Sequence, residues 1–156
     1  MRIAIGNDHA GLSLKSDIIH FLEQREHTVK DVGTYSEDSC DYPDFAIEVC
    51  QSLQQKDSDL GILICGTGIG MSIAANKHTG IRAALVHTTF CAQATREHNN
   101  SNVLCLGARV LDKELALEIV KTWIETTFQG GRHQRRINKI EKIADPKIPT
   151  SVHPQS

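Results

Sequence analysis

The chain has 156 residues, of which 40% are apolar, 23% charged and 4% aromatic. That length favours one domain with a core of its own, and the composition excludes a disordered or fibrous protein. So few aromatics argue against a stacking platform for single-stranded nucleic acid, and a net charge of −2 supplies no global field for a polyanion.

In chain order, Arg2–Gly6 (RIAIG) predicts a strand that stops at Asn7-Asp8. Leu14, Ile18, Phe21 and Leu22 then recur on one face of a helix. Thr28–Val32 reads as a short strand closed by Gly33, and the polar stretch 34–44, with Pro43, as a loop. Ala46, Val49, Cys50 and Leu53 form a second helical stripe. Leu60–Cys65 (LGILIC) is apolar on both faces, as a central strand of a covered parallel sheet would be. A glycine-rich turn leads into a helix over about 69–76. Ile81–Val86 is a strand, Thr88–His98 a helix and Val103–Gly107 a fifth strand. Ala116, Ile119, Val120 and Trp123 mark a long helix, and 132–143 a basic one after Gly130-Gly131.

Five strands alternating with helices predict a three-layer α/β/α sandwich, Rossmann-like, with a five-stranded parallel sheet and a C-terminal helical extension. Residues 1–143 are expected to form a single domain and 144–156, with three of the four prolines, a loose tail. Ligands of such sheets sit beyond the carboxyl ends of the strands. That rule selects Asn7-Asp8-His9, Cys65–Gly70, His87 and the turn at Gly107-Ala108-Arg109.

Charge is uneven along the chain. Residues 1–128 hold eleven Lys/Arg against seventeen Asp/Glu, and residues 129–156 hold six against two. A basic tail on an acidic body suits a neighbouring subunit, a phosphate ligand or a nucleic acid, with a solvated helix as the plainest reading. The five cysteines, Cys40, Cys50, Cys65, Cys91 and Cys105, are odd in number and contain no CxxC spacing. Neither a disulfide framework nor a structural zinc site is expected, and a reducing compartment fits best. No signal peptide is visible, and no apolar run reaches the ~18 residues of a membrane helix. The expectation is a soluble, cytoplasmic protein with no membrane or nucleic-acid partner.

The segment Cys65-Gly66-Thr67-Gly68-Ile69-Gly70 carries the strongest chemical signal. It follows a buried strand and opens a helix, so its backbone N–H groups could crowd around an anion. The glycines are spaced GxGxG, without the acidic partner of a dinucleotide fingerprint or the lysine of a Walker loop, so NAD and ATP are excluded as first guesses. A thiol beside a helix N-terminus is favoured as thiolate, and Cys65 reads equally as that or as a buried strand end. Asp8 reads first as a helix cap. His98, closing a helix, is either a dipole partner or a titratable acid. Arg132 and Arg136 are four apart on one helical face, where an anion would relieve their repulsion.

These blocks together resemble the RpiB/LacA/LacB family of sugar-phosphate isomerases. The matching stretches are Gly6–Gly11 (GNDHAG), Asp41–Pro43, Ile64–Gly70 with Ser72–Lys77, Gly80–Ala83, Glu97–Asn99, Asn102–Leu104, Gly107–Val110 and Gly130–His133. They run from residue 1 to about 143. The resemblance implies an aldose–ketose isomerase that interconverts D-ribose 5-phosphate and D-ribulose 5-phosphate through a cis-enediolate, in the non-oxidative branch of the pentose phosphate pathway. It implies no metal and no cofactor. Cys65 matches the base that moves a proton between C2 and C1. One branch of the family uses a glutamate a few residues on, where this chain has Met71. His98 matches the acid that opens the furanose ring, with Thr67 assisting. The amides from Gly66 through Gly68 and Ile69 to Gly70 match the enediolate cradle, Asp8 and Asn99 the sugar-hydroxyl contacts, and His9, Arg109, Arg132 and Arg136 the phosphate set. Arg135 and His87 stay outside it. The resemblance further implies a homodimer with active sites shared between chains, and leaves tetramers open. Allose 6-phosphate or galactose 6-phosphate as substrate, a sugar-phosphate sensor and a Cys65–His98 thiol hydrolase are the alternatives.

Overall fold

The computed structural model describes residues 1–144. Strands β1 (Arg2–Asn7), β2 (Thr28–Asp31), β3 (Leu60–Cys65), β4 (Ala83–Leu85) and β5 (Val103–Gly107) pair in the order β2-β1-β3-β5-β4, all parallel. The helices are α1 (Leu12–Glu23), α2 (Tyr42–Gln54), α3 (Ile69–Ala75), α4 (Thr89–Asn99), α5 (Lys113–Glu125) and α6 (Arg132–Ala144). The expected α/β/α sandwich is therefore present. The expected tail lies outside the described residues except for Ala144, which closes α6.

Alternation along the strands builds two cores. Ile3, Ile5, Ile62, Ile64, Leu104 and Leu106 face α1, α4 and α5. Ala4, Leu63, Cys65, Val103 and Cys105 face α2 and α3. The central strands β3 and β5 are buried throughout, which is why they read as unbroken apolar runs, whereas edge strand β2 alternates exposed and half-buried residues. Trp123, fully buried on α5, donates its indole N–H to Ser101 Oγ at 2.8 Å.

The chain leaves β1 toward β2 on one side and returns to β3 on the other. The carboxyl ends of β1 and β3 thus flank a crevice at the point where the winding reverses. Asp8 N–H donates to the Ile64 carbonyl at 3.1 Å, closing that crevice at its base.

Three local features depart from the sequence reading. Tyr42 and Pro43 open α2 rather than ending the loop, because a proline is tolerated in a helix's first turn, where its missing N–H would have no partner. The strand expected over 81–86 shrinks to Ala83–Leu85, since the Ile81 amide is engaged by the His78 carbonyl in the preceding turn. A 3-10 turn at His9–Gly11 precedes α1, and Asp8 caps it by accepting from the Ala10 and Gly11 amides at 2.9 and 3.3 Å.

A buried cation holds the segment after β2. Lys15 Nζ, on α1, lies 3.0 Å from Asp31 Oδ2, with the two side chains only 2% and 13% exposed. It also donates to the Thr34 carbonyl at 2.8 Å and sits 4.0 Å from the centroid of the Tyr35 ring. Tyr35 O–H and Gly33 N–H complete the shell by donating to Asp31 at 2.6 and 2.9 Å. Removing one partner of such a pair strands the other charge in low dielectric. Lys15→Met is expected to lower the unfolding free energy by about 3–5 kcal/mol. Lys113→Met, which breaks the half-exposed Lys113–Asp17 pair, is expected to change it by less than about 1 kcal/mol. Urea denaturation of both variants tests the contrast, and equal losses would refute it.

Candidate active site

The carboxyl edge of the sheet gathers the first group of side chains. At the end of β3, Cys65 is 5% exposed and its Sγ accepts the Gly68 N–H at 3.1 Å. The loop can turn back in this way because Gly68 adopts φ +77°, where a Cβ would also lie 2.7 Å from Leu85 Cδ1 and 2.9 Å from the Leu106 carbonyl carbon. Gly70 admits the Tyr42 ring, since a Cβ there would stand 2.5 Å from Tyr42 Cζ. Thr67 Oγ1 accepts the Ile69 N–H at 3.3 Å. Two amides of the expected cradle, those of Gly68 and Ile69, are thereby engaged. Those of Gly66, Thr67 and Gly70 carry no hydrogen bond among the described residues.

β1 and β5 bring their own residues to this loop. Ala108 and Arg109 donate their amides to the Cys65 and Gly66 carbonyls, each at 2.9 Å. The exposed Arg109 guanidinium lies over Gly66, with Nη1 3.3 Å from where a Cβ would be. Asp8 uses Oδ1 as a cap, as its place before a helix suggested, and Oδ2 carries no bond among the described residues. His9 Nδ1 accepts the Cys40 amide at 3.3 Å. Cys65, the glycine loop, Asp8, His9 and Arg109 therefore share one edge.

The remaining candidates lie at the other end of the sheet. α4 starts just beyond the carboxyl end of β4 and runs back for eleven residues, about 16 Å of helix. Its last residues reach the amino edge, where Arg82, immediately before β4, donates Nε to the Asn99 and Asn100 carbonyls at 3.1 and 3.2 Å. His98 and Asn99 sit there, exposed. α6 lies against α4 at the same edge, pinned by the Arg82–Glu141 ion pair at 2.5 Å and by the Gln129 amide on the Glu97 carbonyl at 3.1 Å. Arg132 and Arg136 project into solvent from α6 beside His98. A cavity of about 700 Å³ opens between α6 and the α4 terminus, with Gly80, Arg82, Asn99 and Ile140 among its walls. The depth of the sheet separates this group from Cys65 within one chain.

His133 belongs to this second group and was not singled out by sequence reasoning. It is buried, and its ring stacks on His98 with centroids 4.4 Å apart and planes 14° off parallel. Burial, and then the charges of His98, Arg132 and Arg136, lower its pKa. The signal for it was its place two residues after the Gly130-Gly131 turn and four before the apolar Ile137, one helical face with it. Tyr42, within the Asp41–Pro43 stretch, also packs on the loop, against Gly70.

The fold and the crevice at β1 and β3 define a doubly wound α/β protein whose switch point carries a thiol, an amide-rich loop and an arginine. A family model described as Ribose/Galactose Isomerase matches residues 3–140, and the chain belongs to that family. It is 46% identical over 142 residues to ribose-5-phosphate isomerase B of Escherichia coli, covering 91% of this chain and 95% of that one. Among solved structures, ribose-5-phosphate isomerase B of Clostridium thermocellum superposes with a TM-score of 0.91 at 50% identity, over 92% of this chain and 97% of that chain. The enzyme of Mycoplasma genitalium, solved with bound ribulose-5-phosphate, gives 0.87 at 45% identity, over 91% and 95% of the two chains.

The thiols divide by environment. Burial pushes the Cys50 thiol up to about 12, and pushes Cys105 up as well, with Cys65 and Cys50 adding to the effect. Cys91 is exposed. An unfolded thiol ionises near pH ~8.5, so above that pH the unfolded state binds fewer protons than the folded one and stability falls as pH rises toward 12. Native protein treated with iodoacetamide at about pH 8 is expected to label Cys91 and to spare Cys50 and Cys105 until denaturant is added. Peptide mass mapping reads this directly, and native labelling of Cys50 at the rate of Cys91 would contradict it.

Proposed function

We propose that this chain is an aldose–ketose isomerase that interconverts D-ribose 5-phosphate and D-ribulose 5-phosphate, with Cys65 as the proton-transferring base. The observation that carries the reading is the Cys65 sulfur at the switch-point crevice, bonded to one loop amide with three further amides of that loop, those of Gly66, Thr67 and Gly70, left open among the described residues. A proton beside a carbonyl is weakly acidic, so the enediolate oxygen needs donors as it forms. Fixed donors of this kind contribute about 3–4 kcal/mol each, and a positioned base about 10²–10⁴-fold. Thiolate removes the C2 proton of the open-chain aldose, the loop amides stabilise the enediolate as charge develops on O1, the O2 hydroxyl proton passes to O1, and the thiol returns the carbon-bound proton at C1.

The sheet geometry supports a homodimer with shared sites. One chain carries the base at its carboxyl edge and the ring-opening acid His98, with Asn99, Arg132 and Arg136, at its amino edge. A second copy that brings its amino-edge group to the first chain's crevice completes the set. Apolar surface next to the loop fits such a contact. Ile69 and Ile73, one turn apart on α3, are 50% and 59% exposed, and Tyr42 beside them 39%. His9 and Arg109 from one chain and Arg132 and Arg136 from the other then hold the phosphate, which keeps the carbon centre beside the thiolate.

Two measurements test this. In D₂O the parent protein is expected to convert ribose 5-phosphate with deuterium entering the transferred position, and Cys65→Ala to lose at least about 10²-fold in kcat. Near-parent turnover by Cys65→Ala refutes the base assignment. Binding with no exchange points to a sensor, and preferred turnover of allose 6-phosphate or galactose 6-phosphate reassigns the substrate. Mixing inactive Cys65→Ala and His98→Ala proteins after mild dissociation is expected to restore about a quarter of the sites, because each hybrid dimer has one intact pair. No recovery in verified hybrids refutes the sharing.

A further inference from the structure

His9 follows β1 in the 3-10 turn, and β1 lies on the opposite side of β3 from β5, the strand that precedes Arg109. Its Nδ1 meets the Cys40 backbone amide at 3.3 Å, and the Cys40 Sγ lies 3.8 Å from the same nitrogen. A peptide N–H has one role: it donates. Nδ1 must then be the acceptor nitrogen of the ring, since a proton on it would point at the amide hydrogen. The thiol is a second group able to donate to that lone pair. Nε2 carries no hydrogen bond among the described residues.

We infer that the backbone amide of Cys40 is a positioning group for His9, holding its imidazole in the tautomer protonated at Nε2 so that the ring offers the site an N–H donor. The inference rests on the reading that His9 contacts the substrate's phosphate. An oxyanion beside Nε2 then meets a donor, whereas the opposite tautomer would present it with a lone pair.

The amide can do this because the segment that carries it is pegged along its length. Thr34 N–H donates to the Asn7 carbonyl at 3.2 Å, and the Thr34 carbonyl accepts from Lys15 Nζ at 2.8 Å and Asn7 Nδ2 at 3.4 Å. Ser36 N–H then donates to Thr34 Oγ1 at 3.1 Å, and Asp38 N–H to Ser36 Oγ at 3.0 Å. Cys40 lies two residues further on, and α2 begins at Tyr42. The buried Lys15 and the edge of β1 thus fix one end of the segment and α2 the other. This assigns to the 33–40 stretch a task in the site, although none of its side chains needs to reach the substrate.

The test is nitrogen NMR of protein labelled with [¹⁵N]histidine at about pH 8, above the usual histidine range. The His9 signals are assigned by their loss in His9→Ala. The parent protein is expected to show His9 Nδ1 as the unprotonated ring nitrogen and Nε2 as the protonated one. Cys40→Ala keeps the amide and is expected to keep that pattern. Cys40→Pro removes the N–H, and is expected to mix the tautomers and raise KM for ribose 5-phosphate about tenfold with little change in kcat, the size of one hydrogen bond to a charged group. A protonated Nδ1 in the parent protein overturns the inference. So does a folded Cys40→Pro protein with the parent tautomer and parent KM. If Cys40→Pro does not fold, the parent and Cys40→Ala spectra decide. The predicted tautomer with an unchanged KM in His9→Ala overturns the donor role and puts the failure in the phosphate reading rather than in the Cys40 contact.

Discussion

Parallel pairing of all five strands is the constraint on which the site depends. Each crossover helix must run antiparallel to the strands it joins, so a residue that ends a strand and one that ends a helix lie at opposite edges of the sheet. Cys65 ends β3 and His98 nearly ends α4. Their separation follows from the winding itself, and no side-chain rotation or loop movement closes it. An activity that needs both groups has to be built from two copies, or else from two different uses of one chain. The basic helix α6 is docked on the amino edge, beside His98, so the cations that sequence reading grouped as one phosphate set are divided in the same way.

At the carboxyl edge the scaffold is stiff by several independent means. The Gly68 turn is shaped by close contact with Leu85 and Leu106 and by the Cys65 sulfur. The Lys15–Asp31–Tyr35 group locks the segment after β2 from beneath. Asp8 ties β1 to the 3-10 turn through its cap. Lys15, Asp8 and the Gly68 amide are buried polar groups that would be costly to leave unpaired, so these contacts restrict one another. Such a frame suits chemistry in which donors must already point at a charge when it develops.

Several of the candidate site residues also have a structural task. Asp8 caps the 3-10 turn with Oδ1 and leaves Oδ2 without a bond among the described residues. Thr67 gives its hydroxyl to the Ile69 amide, and its backbone lies against β5. Cys65 packs in the core among Leu63, Met71 and Cys105 while its sulfur meets the loop. A structural explanation for any one of them leaves the proposed role open, because each uses only part of the side chain.

The alternation of apolar strands with amphipathic helices was legible from residue order alone, because burial on two faces or one imposes a period of its own on the chain. So was the glycine loop, since its spacing and its position after LGILIC state a local geometry. The helical register of Arg132 and Arg136 was legible for the same reason. The start of α2 at Tyr42 was not, because a proline is compatible with both a loop and a first helical turn, and packing against Gly70 decides between them. His133 was not legible either: its stacking partner lies 35 positions earlier in the chain. Which edge of the sheet each candidate occupies was also beyond the linear pattern. Periodicity reports how a segment meets its immediate surroundings, whereas strand order and helix direction arise only when segments distant in sequence pair. That pairing set Cys65 and His98 apart and brought Cys40 to His9.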